Sequence, residues 1–228
     1  MPNSATGPGP ITADGCAVEL YRRLQATGEP DVIQAAVSSG ATVLELGAGA
    51  GRVTRELVRL GYRVTAVDAS SEMLAYIAGA RTIASSIERL ELSERFDAVV
   101  LGSNLINVPD AALRAAFLAT CRRHVRNDGV VLIERYVPAR LERLQDGLLD
   151  ERDGIRTSLR GLRRSGNEFS ATIIYEARDA TWSHSFSATL LDDAAIAAEL
   201  ERAGLRFAEW LDEKQGWYSA KPVEPRAG

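Results

Sequence analysis

This chain encodes an α/β protein built on a mostly parallel sheet with helices on both faces, and three features say so. Short apolar, β-branched runs alternate with amphipathic stretches from residue 41 to residue 136. Such alternation is the pattern of parallel strands joined by covering helices. The runs are apolar throughout rather than at every second position, as strands buried on both faces must be. Beyond Pro138 the period drops to two, which marks a late antiparallel insertion.

Each element has a local reason. Residues 15–27 and 31–39 carry helical spacing. ATVLEL is the first strand of the series, ended by glycine, and RVTRELVRLG is an amphipathic helix with Gly61 past its end. YRVTAVD is the next strand, and SEMLAYIAGA is a helix opened by a Ser cap. RTIAS and RFDAVVLGS are strands, Asp110 caps the helix DAALRAAFLATCRRHVR, and GVVLIERY closes the series. Residues 139–153 are charged and read as helix. GIRTSLRGLRRSG, EFSATIIYEAR and TWSHSFSATLL read as three antiparallel strands turned at SGN and RDA. Asp192 caps a helix that ends at Gly204, and RFAEWLD and GWYSAKP finish as strands, which brings the main sheet to seven. Residues 1–12 read as a disordered tail and 13–228 as a single domain, with 139–191 as its insertion.

Composition narrows the function. A chain of 228 residues supports one sizeable core. Its 46% hydrophobic and 25% charged content is that of an ordinary soluble protein. A net charge of −4 offers no field for nucleic acid or an anionic membrane. No apolar run reaches membrane-spanning length, and the start lacks the regions of a signal peptide. Cys16 and Cys121 lie far apart without ligand spacing, so a reduced, cytoplasmic setting is expected. Nothing is spaced to bind a metal. A monomer or homodimer is expected.

The chemistry starts at VLELGAGAGRV, residues 43–53. A glycine-rich turn between strand and helix lets backbone approach a ligand closely. A dinucleotide fingerprint needs glycine at 47, 49 and 52, but position 52 is Arg. Glu45 before the turn would repel a pyrophosphate and suits a ligand with positive charge. The run Glu45-Leu-Gly47-Ala-Gly49-Ala-Gly51 resembles motif I of class I S-adenosylmethionine-dependent methyltransferases. The resemblance covers roughly residues 41–136, extended to about 221 by the final helix and strands. It implies a Rossmann-like sheet of seven strands, the last antiparallel, with S-adenosyl-L-methionine as cofactor and S-adenosyl-L-homocysteine as product.

The same resemblance distributes the site. Glu45, Gly47, Ala48, Gly49 and Gly51 are expected to hold the amino-acid end of the cofactor, Glu45 often through a water. Asp68 ends the second strand of the series, where an acid accepts from both ribose hydroxyls, followed by Ala69. Met73 borders the adenine. In RTIASSIERLEL, Ser86 stands where the family carries an Asp for the adenine amino group, with Ser85 as rival and Ile87 offering the next amide. Leu101, Gly102 and Ser103 pass the methionine part. Arg52 reads as a solvated residue of the first helical turn.

The acceptor side is sparser. The family builds it from N-terminal helices, from the loops after the fourth and fifth strands and from late insertions. That points to Tyr21, Asn104, Asn107, Tyr136, Arg156 and Tyr175, with part of the substrate side formed by 139–191. Of the two histidines, His124 sits late in a helix, where it decorates or caps. His184 alternates with Trp182 and Phe186 on one strand face and is the candidate general base. SNLINVP lacks the aromatic motif of enzymes that methylate nucleic-acid bases, and no basic patch accompanies it. The expected activity is methyl transfer to oxygen or nitrogen of a small-molecule acceptor, in specialised metabolism. The alternatives are a non-catalytic module that binds the cofactor or its product, and a nicotinamide oxidoreductase with an eroded fingerprint.

Overall fold

The computed structural model describes residues 3–223. The chain opens with β1 (Ser4–Thr6), α1 (Val18–Arg23) and α2 (Glu29–Ala36). Then follow β2 (Thr42–Leu46), α3 (Arg52–Arg59), β3 (Arg63–Asp68), α4 (Ser71–Leu74), β4 (Arg81–Ala84) and β5 (Phe96–Leu101). After them come α5 (Ala111–His124), β6 (Val125–Glu134) and α6 (Pro138–Glu142). The insertion holds β7 (Gly147–Arg152), β8 (Ile155–Ser165), β9 (Glu168–Glu176) and β10 (Thr181–Thr189). The chain returns through α7 (Asp193–Arg202), β11 (Leu205–Trp210) and β12 (Trp217–Pro222).

A seven-stranded sheet in the order β11-β12-β6-β5-β2-β3-β4 forms the centre. The five strands from β6 to β4 run parallel, and β12 is antiparallel to both of its neighbours. This is the Rossmann-like arrangement expected. Alternate residues of each strand enter opposite layers. Leu44, Val99 and Val131 pack with Leu118 of α5 and Leu200 of α7. Val43, Val100 and Leu132 pack with Ile33 of α2 and Leu57 of α3. With both faces covered, the strands had to be continuously apolar. Glu45 enters the second layer with Val43, which puts a carboxylate at the rim of a core.

The caps hold where they were read. Asp110 accepts from the amides of Ala112 and Leu113 at 2.8 and 3.2 Å, and Asp192 from that of Ala195 at 2.7 Å. Other local readings need correction. The helix expected over 15–27 spans only Val18–Arg23. The helix expected over SEMLAYIAGA stops at Leu74. There Ile77 turns in to pack beneath the glycine turn, and a Cβ on Gly51 would sit 2.6 Å from its Cγ1.

The insertion is larger than three strands. It is a five-stranded antiparallel sheet in the order β1-β10-β9-β8-β7. Residues 139–153, read as helix, are helical only over Pro138–Glu142 and then form β7. Asp153 and Gly154 both have positive φ and link Arg152 to its partner Ile155 as a two-residue hairpin. Asp-Gly is the strongest short hairpin signal, and here it outweighs the helical composition of what precedes it. The tail read over 1–12 is also corrected within the described residues. Ser4, Ala5 and Thr6 pair with Ser185, His184 and Ser183, and cover an edge of β10 that would otherwise be open.

Trp182 ties this second sheet to the rest. It is 1% exposed and clusters with Ala17, Leu20 and Ile155, its Nε1 donates to the Pro8 carbonyl at 3.0 Å, and the Arg23 guanidinium lies over its ring. Replacing it, Trp182→Ala, is expected to remove about 3–5 kcal/mol of stability. A urea midpoint unchanged from wild type would show that this anchor is not needed.

Candidate active site

Three left-handed glycines shape the turn after β2. Gly47, Gly49 and Gly51 have φ of 71°, 56° and 79°. Two of them are also required by packing: a Cβ would come within 2.6 Å of Leu105 at Gly47 and of Ile77 at Gly51. Gly49 differs, because its nearest neighbour would be Tyr21 Cδ1 at 3.9 Å, so its backbone is the one left open for a ligand. Ala48 and Ala50 are buried, and the Ala48 amide donates to the Val67 carbonyl at 2.9 Å, which pins the turn to β3.

Asp68 finishes β3 beside this turn. Its Oδ2 accepts from the Gly49 amide at 2.8 Å and its Oδ1 from the Ser70 amide at 2.9 Å. Burial raises its pKa, and those two amides pull it back only in part. Each oxygen keeps a lone pair for a diol. Ala69 beside it is exposed. Met73 is buried against Val18 and Ala50, with Tyr21 alongside, so it is core as well as wall. The two serine hydroxyls differ in their surroundings. Ser85 Oγ donates to the Ser86 carbonyl at 2.9 Å, whereas Ser86 Oγ is buried with no hydrogen-bond partner. An orphaned hydroxyl here fits an adenine amino group. Ile87 is buried, and its carbonyl is taken by the Thr120 hydroxyl at 3.0 Å.

The other end of the groove is charged. Glu45 is 6% exposed and accepts from the Thr54 hydroxyl at 2.5 Å. Burial pushes its pKa up to about 7 against that hydrogen bond and the nearby Arg52. Arg52 is not the solvated residue expected. Its Nη1 pairs with Glu29, and its Nη2 approaches Ser103 Oγ at 3.4 Å. Burial opposes the Glu29 charge, but Arg52 more than offsets this and lowers the Glu29 pKa. Glu134, at the end of β6, accepts from the Ser103 amide at 2.5 Å, and burial pushes its pKa up to about 7 as well. Neither Glu29 nor Glu134 was anticipated from the sequence, since nothing local marks them. Together with Gly47, Gly102 and Trp217 these residues enclose a gap of about 10 Å³, one water's worth. Carboxylates and a guanidinium in one gap complement an amino-acid zwitterion. Leu101 itself points into the core and is fully buried, leaving Gly102 and Ser103 as the groove residues of that segment.

Tyr21 and Tyr175 pack on the cluster that joins α1 to the inner face of the second sheet. Burial raises the pKa of both hydroxyls, that of Tyr175 to about 12, and Cys16 beside Tyr21 is likewise raised to about 12 by burial. Tyr136 meets Phe169 edge-on at 5.0 Å and stacks with Phe186 at 6.2 Å, and burial raises its pKa too. His184 stacks on Phe186 at 6.1 Å, with Nδ1 2.6 Å from the Gly15 carbonyl.

Two expected acceptor residues do not gather here. Arg156 is paired with Glu176, beside the Thr157–Tyr175 pair, so its exposed side chain leaves the sheet on the face opposite Tyr175. Asn107 is 1% exposed and spends its amide on the Thr189 carbonyl and the Tyr136 amide, both at hydrogen-bond distances of 2.8 and 2.9 Å. It is a strut between the two sheets. Asn104 stays at the rim with φ 55°. His124 is buried between the Leu92 amide and the Thr120 carbonyl and takes no part. No cluster of metal-ligating side chains occurs among the described residues, and none of their helices is long and apolar enough to cross a membrane.

Comparison with known proteins agrees with this geometry. Residues 43–129 match the family described as methyltransferase domain. Comparison with curated protein sequences finds no match. Among solved structures, a sugar N-methyltransferase from Streptoalloteichus is 18% identical, with 96% of this chain and 98% of that one covered at a TM-score of 0.70. An S-adenosylmethionine-bound amino pentose methyltransferase of calicheamicin biosynthesis, from Micromonospora echinaspora, is 22% identical over 90% and 95% of the two chains, TM-score 0.67. A glycopeptide N-methyltransferase complexed with S-adenosylmethionine is 25% identical over 88% and 95%, TM-score 0.60. The glycine turn, Asp68 and the orphaned Ser86 all lie within residues 43–129, and that segment is an S-adenosylmethionine-dependent methyltransferase domain.

Two outcomes follow. Asp68→Ala is expected to weaken S-adenosylhomocysteine binding at least tenfold, ~1.4 kcal/mol, in calorimetry. The second concerns Glu45. Between its ordinary 4.5 and about 7, the folded chain keeps a proton on Glu45 that the unfolded chain has released. Its contribution therefore makes unfolding easier as pH rises through that window. Urea titrations below and above it should show that Glu45→Gln loses less stability on raising the pH than wild type does.

Proposed function

We propose that this enzyme transfers the methyl group to a nitrogen or oxygen of a small molecule, with an amine the favoured acceptor, in specialised metabolism. One observation carries the reading: Gly49, the open glycine of the cofactor turn, faces Tyr21, which packs beside Tyr175 under the inner face of the second sheet. The cofactor groove thus borders a wall of aromatic rings and protonated hydroxyls. Such walls accept hydrogen bonds from N–H groups and pack against a compact ring. The named acceptors of two neighbours, a sugar and a glycopeptide, are methylated at nitrogen, which supports the same chemistry here.

The bound cofactor supplies a methyl on a positively charged sulfur. An amine must arrive with its lone pair free and loses a proton as the new bond to carbon forms. The chain's task is alignment: the glycine turn and Asp68 hold one partner while Tyr21, Tyr136 and Tyr175 orient the other. We assign the proton to His184, which shares a sheet face with Tyr175. If Nδ1–H donates to the Gly15 carbonyl, Nε2 is left as an acceptor. Asn104, at the rim, completes the acceptor side. The free Cys16 and Cys121 accord with a reducing, cytoplasmic setting.

The test is transfer of isotope-labelled methyl to a panel of small amines, phenols, alcohols and carboxylic acids, with product masses read out. Label in one amine class is expected. Tight cofactor binding with label in no acceptor would favour a binding-only module. On the amine so identified, His184→Gln is expected to lower kcat by about 10²–10⁴-fold near neutral pH. An unchanged kcat would remove His184 from the chemistry.

A further inference from the structure

The loop after β5 has an unusual shape with an identifiable cause. Ser103 and Asn104 are successive non-glycine residues with φ of 53° and 55°. L-residues avoid this region, and two in a row persist only when something holds them. Backbone N–H groups exposed by a turn can meet an anion. The anion here is the chain's own Glu134, which accepts from the Ser103 amide at 2.5 Å. Glu134 also lies against Gly102, where a Cβ would make ordinary van der Waals contact with Oε2 at 3.7 Å. Leu105, one residue beyond the pair, packs on Gly47. The distance between the glycine turn and the β5 loop is therefore set by a carboxylate on a third strand.

We propose that Glu134 is a positioning residue for the amino-acid end of the cofactor: it fixes the Ser103–Asn104 turn against the glycine turn and so sets the width of the charged gap. The inference rests on the reading that the cofactor's amino-acid end lies against that gap, whose charged walls it meets directly or through the single water the gap can hold. Three further charged side chains line the gap: Glu29 of α2, Glu45 of β2 and Arg52 of α3. The nucleoside end, at Asp68 and Ser86, makes no contact with Glu134, so the two ends of the groove can be tested separately.

The experiment is calorimetry on the full chain with two ligands, S-adenosylhomocysteine and 5′-methylthioadenosine, which keeps the nucleoside and thioether but lacks the amino-acid end. Glu134→Ala is expected to lower affinity for the first at least tenfold and to leave the second within twofold. Glu134→Gln, whose amide oxygen can still accept from the Ser103 N–H, should fall between wild type and Glu134→Ala. Equal losses for both ligands, or no loss for either, would overturn the proposal. If Glu134→Ala does not fold, the Glu134→Gln split between the two ligands decides alone, a selective loss for the first supporting the role and its absence refuting it. Wild type binding neither ligand would instead strike at the cofactor reading itself.

Discussion

The hydrogen bond from the Gly49 amide to Asp68 holds the site together. It joins the only glycine of the turn that is open to a ligand with the only acid at the end of β3. Without it the turn would still be left-handed, because Leu105 and Ile77 require Gly47 and Gly51. It would no longer be registered against the groups that meet the nucleoside. Sheet order matters for the same reason. β2 lies between β3 and β5, so the glycine turn reaches Asp68 on one side and the Gly102 loop on the other. Two crossovers of opposite sense leave a crevice where neighbouring loops part.

What could be read from the sequence was what local chemistry fixes. Continuous apolar strands, Asp and Ser caps, the acid before three glycines and Asp68 all announce themselves within a few residues, and all are where they were expected. Ser86 was readable as a position but not as a choice over Ser85, because the difference lies in which hydroxyl finds a partner. Glu29 and Glu134 were missed because each matters through residues far away in sequence: Arg52 for the first, Ser103 for the second. Arg52 itself looked like surface for the same reason. Asn107 was misjudged in the opposite sense. A polar residue in the loop after a strand suggests a ligand contact, yet its amide is consumed in bridging Thr189 and Tyr136. β7 carried its own signal at Asp153-Gly154, which the charged composition before it masked.

The polar and aromatic halves of the site obey different physics. At the amino-acid end, burial raises Glu45 and Glu134 toward neutrality, so the charge they present depends on what enters. A cation arriving there draws protons off both. In the aromatic half, burial keeps Tyr21, Tyr136, Tyr175 and Cys16 protonated, so that side offers dipoles and ring faces without net charge. Charge thus collects around Glu45 and Glu134, and neutral hydroxyls gather on the Tyr21 and Tyr175 side.

The first strand of the chain has a role out of proportion to its length. β1 covers the edge of β10, and a few residues later the same segment gives the Pro8 carbonyl to Trp182 and the Gly15 carbonyl to His184. A protease that trimmed this segment would expose a bare strand edge and release the imidazole from its orienting carbonyl in a single cut. Fused partners and affinity tags at this end would load the same strand. Loss of solubility would then follow from the bared edge, and a preparation clipped there would aggregate although its main sheet is intact.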